Sequence, residues 1–356
     1  MFVLIVLCGV GTLLTLLNSL TMRVVKPLND ARISSSVSVL IPMRNEESNV
    51  DGVVTSVQKS QGLSDWNFLA LNDSSSDSTG ALLEKHYIQK LDGTSLPEGW
   101  LGKNWACWQL AQASTGEYLV FLDADVRIDP TAIASSIQIM DELHWDFISP
   151  YPRQIAISFL ERLFQPLLQW SWLASVPLRI AERFGVSSMT IANGQFMIIR
   201  RSAYFAIEGH SSIKGEVLDD LRLARTLIDA GFKGGVAEAS SVAECRMYDS
   251  APDLINGYTK SLWNAFGGIV GTIFTIALIA LTQLVPIALG IAGYASGWIA
   301  YLLTALSHAI ASARTKSSPA NIFAHPLAAL LLIVLIVESL RRKSVGGLVW
   351  RGRQLA

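Results

Sequence analysis

The sequence predicts an α/β domain with a mostly parallel, Rossmann-like sheet, tethered at both ends by apolar helices. Three observations predict it. Short apolar runs alternate with amphipathic stretches from residue 37 to about 150, the pattern of βαβ units. Acidic clusters fall just after those runs, where open parallel sheets bind ligands. Uncharged apolar stretches of bilayer length flank this core. Of 356 residues, 51% are hydrophobic and only 16% charged, and the apolar excess is localised.

Residues 2–20 carry no charge and are long enough to span a bilayer. No basic segment precedes them and no small-residue cleavage site follows, so they read as an anchor rather than a signal peptide. Arg23 and Lys26 follow, which places the C-terminal side of this span in the cytoplasm. Val37-Ser38-Val39-Leu40-Ile41-Pro42 reads as a buried strand stopped by proline. Asn45-Glu46-Glu47-Ser48 then opens a helix to about Lys59. Trp66–Leu71 is the next strand, and Asn72-Asp73-Ser74-Ser75-Ser76-Asp77 a turn before a helix starting near Ser78. Tyr118–Leu122 is a third strand, and Asp129-Pro130 opens a helix to about Leu143.

From Ile155 to Phe184 the chain mixes tryptophans and apolar residues with arginines, which suits helices in the lipid headgroup layer, broken near Pro166 or Pro177. Gln195–Arg200 and Lys233–Glu238 read as strands, and Leu218–Ala230 as a helix ending at Gly231. The expected organisation is an anchor at 1–22, a catalytic domain at 30–260, membrane or re-entrant helices at 265–340 and a basic cytoplasmic tail at 341–356. The block from Ala265 to Ala311 is long enough for two crossings and breaks around Pro286 and Gly290–Gly297. Another apolar stretch covers Phe323–Val337. Arg314, Lys316 and the tail arginines all favour the cytoplasmic face. One crossing cannot separate two cytoplasmic segments, so either one C-terminal segment is re-entrant or interfacial, or the orientation differs there.

A net charge of −1 gives no basic field for nucleic acid. Cys8, Cys107 and Cys245 are scattered without metal-ligand spacing, as are the histidines, so free thiols on a cytoplasmic domain are expected.

Chemistry concentrates in the acidic clusters. Asp123-Ala124-Asp125 closes the third strand, and two oxygen donors there suit a hard divalent cation on a diphosphate. The plain alternative is a cap on the next turn. Asp219-Asp220 opens a helix. A carboxylate there can take a proton from an attacking hydroxyl, or the pair can simply favour the first helical turn.

Taken in order, Ile41-Pro42-Met43-Arg44-Asn45-Glu46-Glu47, Asn72-Asp73-Ser74-Ser75-Ser76-Asp77, Asp123-Ala124-Asp125 and Asp219-Asp220 resemble the motifs of family 2 glycosyltransferases with the GT-A fold. The resemblance covers about residues 35–260. Two positions depart from the pattern: Asn72-Asp73 stands where the family usually has Asp-Asp, and Asp219-Asp220 where it usually has Glu-Asp. Gly99-Trp100-Leu101-Gly102-Lys103-Asn104-Trp105-Ala106, Cys245-Arg246-Met247-Tyr248, Gly257-Tyr258-Thr259-Lys260 and Trp350-Arg351-Gly352-Arg353 resemble the membrane-bound, lipid-modifying branch that includes hopanoid-associated and carotenoid glycosyltransferases. The Gln-x-x-Arg-Trp motif of processive synthases is absent, which favours transfer of a single sugar.

The resemblance implies an inverting glycosyltransferase of the inner membrane, with its catalytic domain in the cytoplasm. Asp220 would be the general base, with Asp219 orienting it. Pro42, Glu46, Asp73, Lys103, Asp123 and Arg246 would bind the nucleotide sugar, although Lys103 and Arg246 also fit solvated surface cations. Asp125 with Asp123 would hold Mg²⁺ or Mn²⁺. Asn193, Gly194, Gln195 and His210 would lie on the acceptor side; the first three also fit a plain turn, and His210 a structural histidine. The implied partners are a nucleotide-sugar donor, a UDP-hexose first, and a hydroxylated or carboxylated lipid such as a carotenoid or hopanoid. Two alternatives stay open: a polyprenyl-phosphate acceptor, or a non-catalytic membrane protein with a transferase-like domain. A nucleotidyltransferase would need a glycine- and lysine-rich triphosphate loop, which the chain lacks.

Overall fold

The computed structural model describes residues 1–86, 88–347, 349–350 and 353–354. Part of the Trp350-Arg351-Gly352-Arg353 element and of the basic tail therefore lies outside the described residues. In chain order the helices are α1 (Phe2–Thr21), α2 (Val50–Gln58), α3 (Thr79–Lys85), α4 (Gly102–Ala113), α5 (Ala132–Leu143), α6 (Phe159–Ser175) and α7 (Leu178–Phe184). They continue with α8 (Arg201–Ala206), α9 (Asp219–Asp229), α10 (Ala251–Thr259), α11 (Ile269–Ile279), α12 (Val285–Ile291), α13 (Ala295–Thr315) and α14 (Asn321–Ser344). The main strands are β1 (Arg23–Val24), β2 (Val37–Met43), β3 (Trp66–Asn72), β4 (Gln89–Asp92), β5 (Tyr118–Leu122), β6 (Val126–Ile128), β7 (Phe147–Tyr151), β8 (Phe196–Arg200), β9 (Gly234–Glu238) and β10 (Ala243–Cys245).

The chain forms two compact units, one of them Arg23–Arg153 with Ile180–Cys245. Its sheet runs β1-β9-β7-β8-β5-β2-β3-β4. All neighbours pair in parallel except β8, which runs antiparallel between β5 and β7. β6 and β10 pair antiparallel as a small separate ladder. Every residue of β5 is buried, as are all of β2 except Pro42, which is how strands covered on both faces read. The strand does not stop at Pro42 as expected but runs on to Met43. Pro42 lies beyond the stretch Val37–Leu40 that pairs with β5, so its missing N–H costs no bond on that side. Leu40, Leu69, Leu119, Phe121, Met197 and Ile199 from the sheet pack with Ala106, Cys107 and Leu110 of α4 and Leu223 and Leu227 of α9. That core fixes the N-termini of α4 and α9, which carry Lys103 and the Asp219-Asp220 pair.

The other unit comprises Met1–Met22, Gln154–Arg179 and Arg246–Ala356. Among the described residues three helices are long and apolar enough to cross a membrane: Phe2–Thr21, Ile269–Ile291 and Asn321–Ser344. Of the breaks expected around Pro286 and Gly290–Gly297, the structure has the second and not the first. A π-turn at Ala280–Leu284 precedes the proline, and the helix continues to Ile291, ending where Gly293 takes φ +93°. The Thr282 carbonyl in this turn lies 3.5 Å from Thr304 Oγ1 of α13. Of the two prolines expected to break the Trp-rich segment, Pro166 sits inside α6, and the break falls at Val176-Pro177. Phe164, Leu167, Tyr258, Leu332 and Ile336 form this unit's core.

Candidate active site

Asp123 leaves the carboxyl end of β5, and its N–H donates to Gln195 O at 2.9 Å. Antiparallel β8 enters beside it, which sets Asn193-Gly194-Gln195 against the Asp123-Ala124-Asp125 turn. Asn193 is held by Ser149 of β7: its N–H donates to the Ser149 hydroxyl at 2.8 Å. Gly194 is the point of closest approach. A Cβ there would lie 3.0 Å from Asp220 Cβ and 3.4 Å from Lys103 Nζ, so any side chain at this position would crowd both.

Lys103, on the first turn of α4, donates from Nζ to Asp123, 2.8 Å from Oδ1, and lies 3.8 Å from Asp219 Oδ2. Burial opposes its charge, but Asp123 and Asp219 outweigh that and hold the ammonium well above the usual lysine range. The partly exposed lysine is thus ion-paired to the carboxylates of the β5 end and the α9 start. Both oxygens of Asp220 accept backbone N–H groups, from Gly194 at 2.8 Å and from Leu221 at 2.7 Å. Burial, with Asp219 adjacent, nevertheless pushes its pKa up to about 6. A carboxylate in that range is suited to proton abstraction near neutral pH.

Burial, then the charges of Asp123 and Glu46, raise the Asp125 pKa to about 7. Its Oδ1 is buried without a hydrogen-bond partner, and Cys245 bonds to the carboxylate. A buried, unpartnered carboxylate oxygen beside a second carboxylate is a site that a hard cation completes. No cluster of three or more metal-binding side chains exists among the described residues. A cation here would thus need oxygens from a ligand, as a diphosphate provides. The donor set fits Mg²⁺ or Mn²⁺.

The other two strand-end turns are stitched together. The Glu46 N–H donates to Thr79 Oγ1 at 2.9 Å, the Glu47 N–H to Asp77 Oδ2 at 3.1 Å, and the Ser78 N–H to Glu47 Oε2 at 3.1 Å. Asp73 is buried, and its N–H bonds to Met43 O at 2.8 Å. His210 is buried, with Nδ1 2.8 Å from the Tyr204 hydroxyl. Burial depresses its pKa to about 4, so it is neutral at physiological pH.

A single cleft is lined by Pro42, Lys103, Asp123, Gly194, His210, Asp219 and Asp220. Arg246 belongs to the other unit, where it pairs with Asp249 at 3.2 Å. Three residues near the cleft escaped sequence reasoning. Asn104 is buried, and its Nδ2 donates to the carbonyls of Ile213, Lys214 and Glu216, which fixes the loop leading into α9. Arg127 and Asn49 brace the Asp123-Ala124-Asp125 turn. The Asn104 partners, and the Arg127–Asn49 contact, join residues distant in sequence.

Residues 38–205 match the family model described as glycosyl transferase family 2. The chain is a glycosyltransferase with a family 2 domain. It is 24% identical over 335 residues to the 4,4'-diaponeurosporenoate glycosyltransferase of Staphylococcus aureus (strain MRSA252), across 90% of this chain and 88% of that protein. It is 23% identical over 246 residues to the protein of the same name from Staphylococcus haemolyticus (strain JCSC1435), across 65% of this chain but only 62% of that protein. The solved structure of mannosyltransferase PcManGT from Pyrobaculum calidifontis, in complex with GDP-Man and Mn²⁺, is similar with a TM-score of 0.57. The identity is 15%, over 96% of this chain and 97% of that one. At that identity the likeness is one of fold, the GT-A arrangement of a mostly parallel sheet.

Proposed function

We propose that this glycosyltransferase moves a single sugar from a nucleotide diphosphate sugar, a UDP-hexose, to a hydroxylated or carboxylated membrane lipid of carotenoid or hopanoid type. The observation that carries the reading is the meeting of Asp220, Lys103 and Asp123 in one cleft at the carboxyl end of the sheet. The diaponeurosporenoate-glycosylating relative that aligns over 90% of the chain supports a lipid acceptor. So do the three helices of membrane-spanning length. The catalytic domain would lie on the cytoplasmic face of the inner membrane.

Asp220 removes the proton from the acceptor hydroxyl as its oxygen attacks the anomeric carbon. The bond from that carbon to the diphosphate breaks, and the diphosphate leaves with the electron pair. Direct attack inverts the anomeric configuration. The Gly194 and Leu221 N–H groups aim the Asp220 carboxylate. Lys103 brings positive charge to the leaving side, and Asp219 holds Lys103 near the base. Asp125, with Asp123, would hold a divalent cation whose charge offsets that growing on the diphosphate. Pro42, Glu46 and Asp73 shape the nucleotide side, and Asn193, Gln195 and His210 the acceptor side.

The test is transfer in detergent from labelled UDP-glucose, UDP-galactose and GDP-sugars to a lipid extract, with Mn²⁺ or Mg²⁺ and an Asp220→Asn control. Label in an apolar, phosphate-free lipid, lost in the variant, is expected. Label in a polyprenyl-phosphate product with Asp220→Asn still active would replace the acceptor assignment, because a phosphate nucleophile has less need of a base. No transfer by folded protein with authentic acceptor lipids would point to a binding or assembly role.

A further inference from the structure

Arg127 follows the Asp123-Ala124-Asp125 turn by two residues and has no role in the chemistry above. Its guanidinium makes four hydrogen bonds to two separate turns. Nη1 donates to Ala124 O at 2.8 Å and Val126 O at 2.9 Å. Nη2 donates to Asn49 Oδ1 at 3.0 Å and Asn49 O at 3.3 Å. Asn49 in turn donates from Nδ2 to Glu46 Oε2 at 2.8 Å. Glu46 sits on the turn after β2, already joined to the turn after β3 through Thr79. One side chain thus connects the carboxylate turn after β5 to the strand-end turn after β2 and, through Glu46, to that after β3.

The space for it is built in. A Cβ on Gly52 would lie 2.3 Å from Arg127 Nε and 2.7 Å from Cζ, so the guanidinium passes over a bare backbone on α2. Only a planar fork can reach both sides at once; an ammonium is a single point of donation.

We propose that Arg127 is a positioning residue that couples the cation-binding carboxylates to the nucleotide-binding turn, so that a divalent cation and a nucleoside diphosphate each find the other's site in place. The proposal rests on the donor reading above. Groups that orient metal ligands from behind change metal affinity by about 10–100-fold when removed.

The experiment uses the full chain in detergent. Calorimetry measures Mn²⁺ binding with UDP present and UDP binding with Mn²⁺ present, for wild type, Arg127→Gln, Arg127→Lys and Gly52→Ala. Gly52→Ala keeps every polar group but displaces the guanidinium. All three variants should lose about tenfold or more in both affinities. In transfer assays the donor KM should rise correspondingly. The kcat at saturating donor and Mn²⁺, and the lipid KM, should stay within about threefold. Arg127→Lys should not rescue. If variants with wild-type thermal midpoints bind Mn²⁺ and UDP as the wild type does, Arg127 does not couple the turns, and the donor reading survives. A parallel fall in kcat and thermal midpoint with unchanged affinities would reduce Arg127 to a scaffold residue. If wild type binds neither UDP nor GDP with Mn²⁺, both the donor reading and this proposal fail.

Discussion

Replacing Asp220 by asparagine separates the two things this side chain does. Both of its oxygens accept backbone N–H groups, from Gly194 at 2.8 Å and Leu221 at 2.7 Å. Asparagine offers one acceptor oxygen; its amide nitrogen must face the other N–H. Leaving a buried donor unsatisfied costs about 1–3 kcal/mol. Asp220 is half-buried and water reaches it, so the lower end, about 1 kcal/mol, applies. That is a thermal shift of about 2–4 °C for a domain of this size. Loss of the base should cut kcat with a hydroxylated lipid by about 10²–10⁴-fold, far beyond the structural effect. The pH profile gives the second readout. The wild-type rate should fall below about pH 6, where Asp220 takes up a proton, and the residual rate of the variant should be flat there. Stability should move oppositely. The folded pKa of about 6 exceeds the ordinary 3.8, so between these values the fold holds a proton the unfolded chain has lost. The Asp220 contribution therefore declines as pH rises through that window and is level above it, and Asp220→Asn should lack this slope. Radiometric transfer and thermal unfolding across pH 4–8 measure both. A variant with more than about a third of the wild-type rate, or one that keeps the acid limb, would refute the assignment of Asp220 as the base.

Lys103→Met should raise the donor KM and lower kcat together, by about 10–100-fold, because the ammonium between Asp123 and Asp219 is lost; steady-state kinetics checks it. Gly194→Ala places a Cβ 3.0 Å from Asp220 Cβ. A displacement of a few tenths of an ångström should lower kcat by about 3–10-fold, with donor binding by calorimetry little changed. Asn104→Ala removes three bonds to the carbonyls of residues 213, 214 and 216. It should destabilise by about 1–3 kcal/mol, read from denaturant unfolding, and lower kcat through the start of α9.

The parts of the fold legible in the sequence are those whose burial is one-dimensional. β2 and β5 lie inside the sheet; β5 reads as an unbroken apolar run and β2 as one interrupted only by Ser38, and the predicted Tyr118–Leu122 is the observed strand. β4 was not legible, because it is an edge strand of Gln89-Lys90-Leu91-Asp92 with one apolar residue and one neighbour. β7 was hidden by Pro150, which lies beyond the Phe147–Ile148 stretch paired with β8 and so costs no bond there. α4 buries Asn104, Ala106, Cys107, Leu110 and Ala111, of which only Leu110 is a large apolar residue, so the periodic signal is weak. The candidate site divides the same way. Asp123, Asp125, Asp219 and Asp220 end a strand or open a helix, so their placement shows in local pattern. Asn104 acts through distant carbonyls, and Arg127 and Asn49 through each other, contacts between distant parts of the chain that only folding brings together.

The central claim is direct transfer of one sugar to a membrane lipid with Asp220 as base. Isolating the product from an α-linked UDP-hexose and reading its anomeric coupling constant and phosphate content by NMR tests it most directly. The account predicts a single β-linked sugar on a phosphate-free lipid. An α-linked sugar, or a sugar on phosphate, would contradict it.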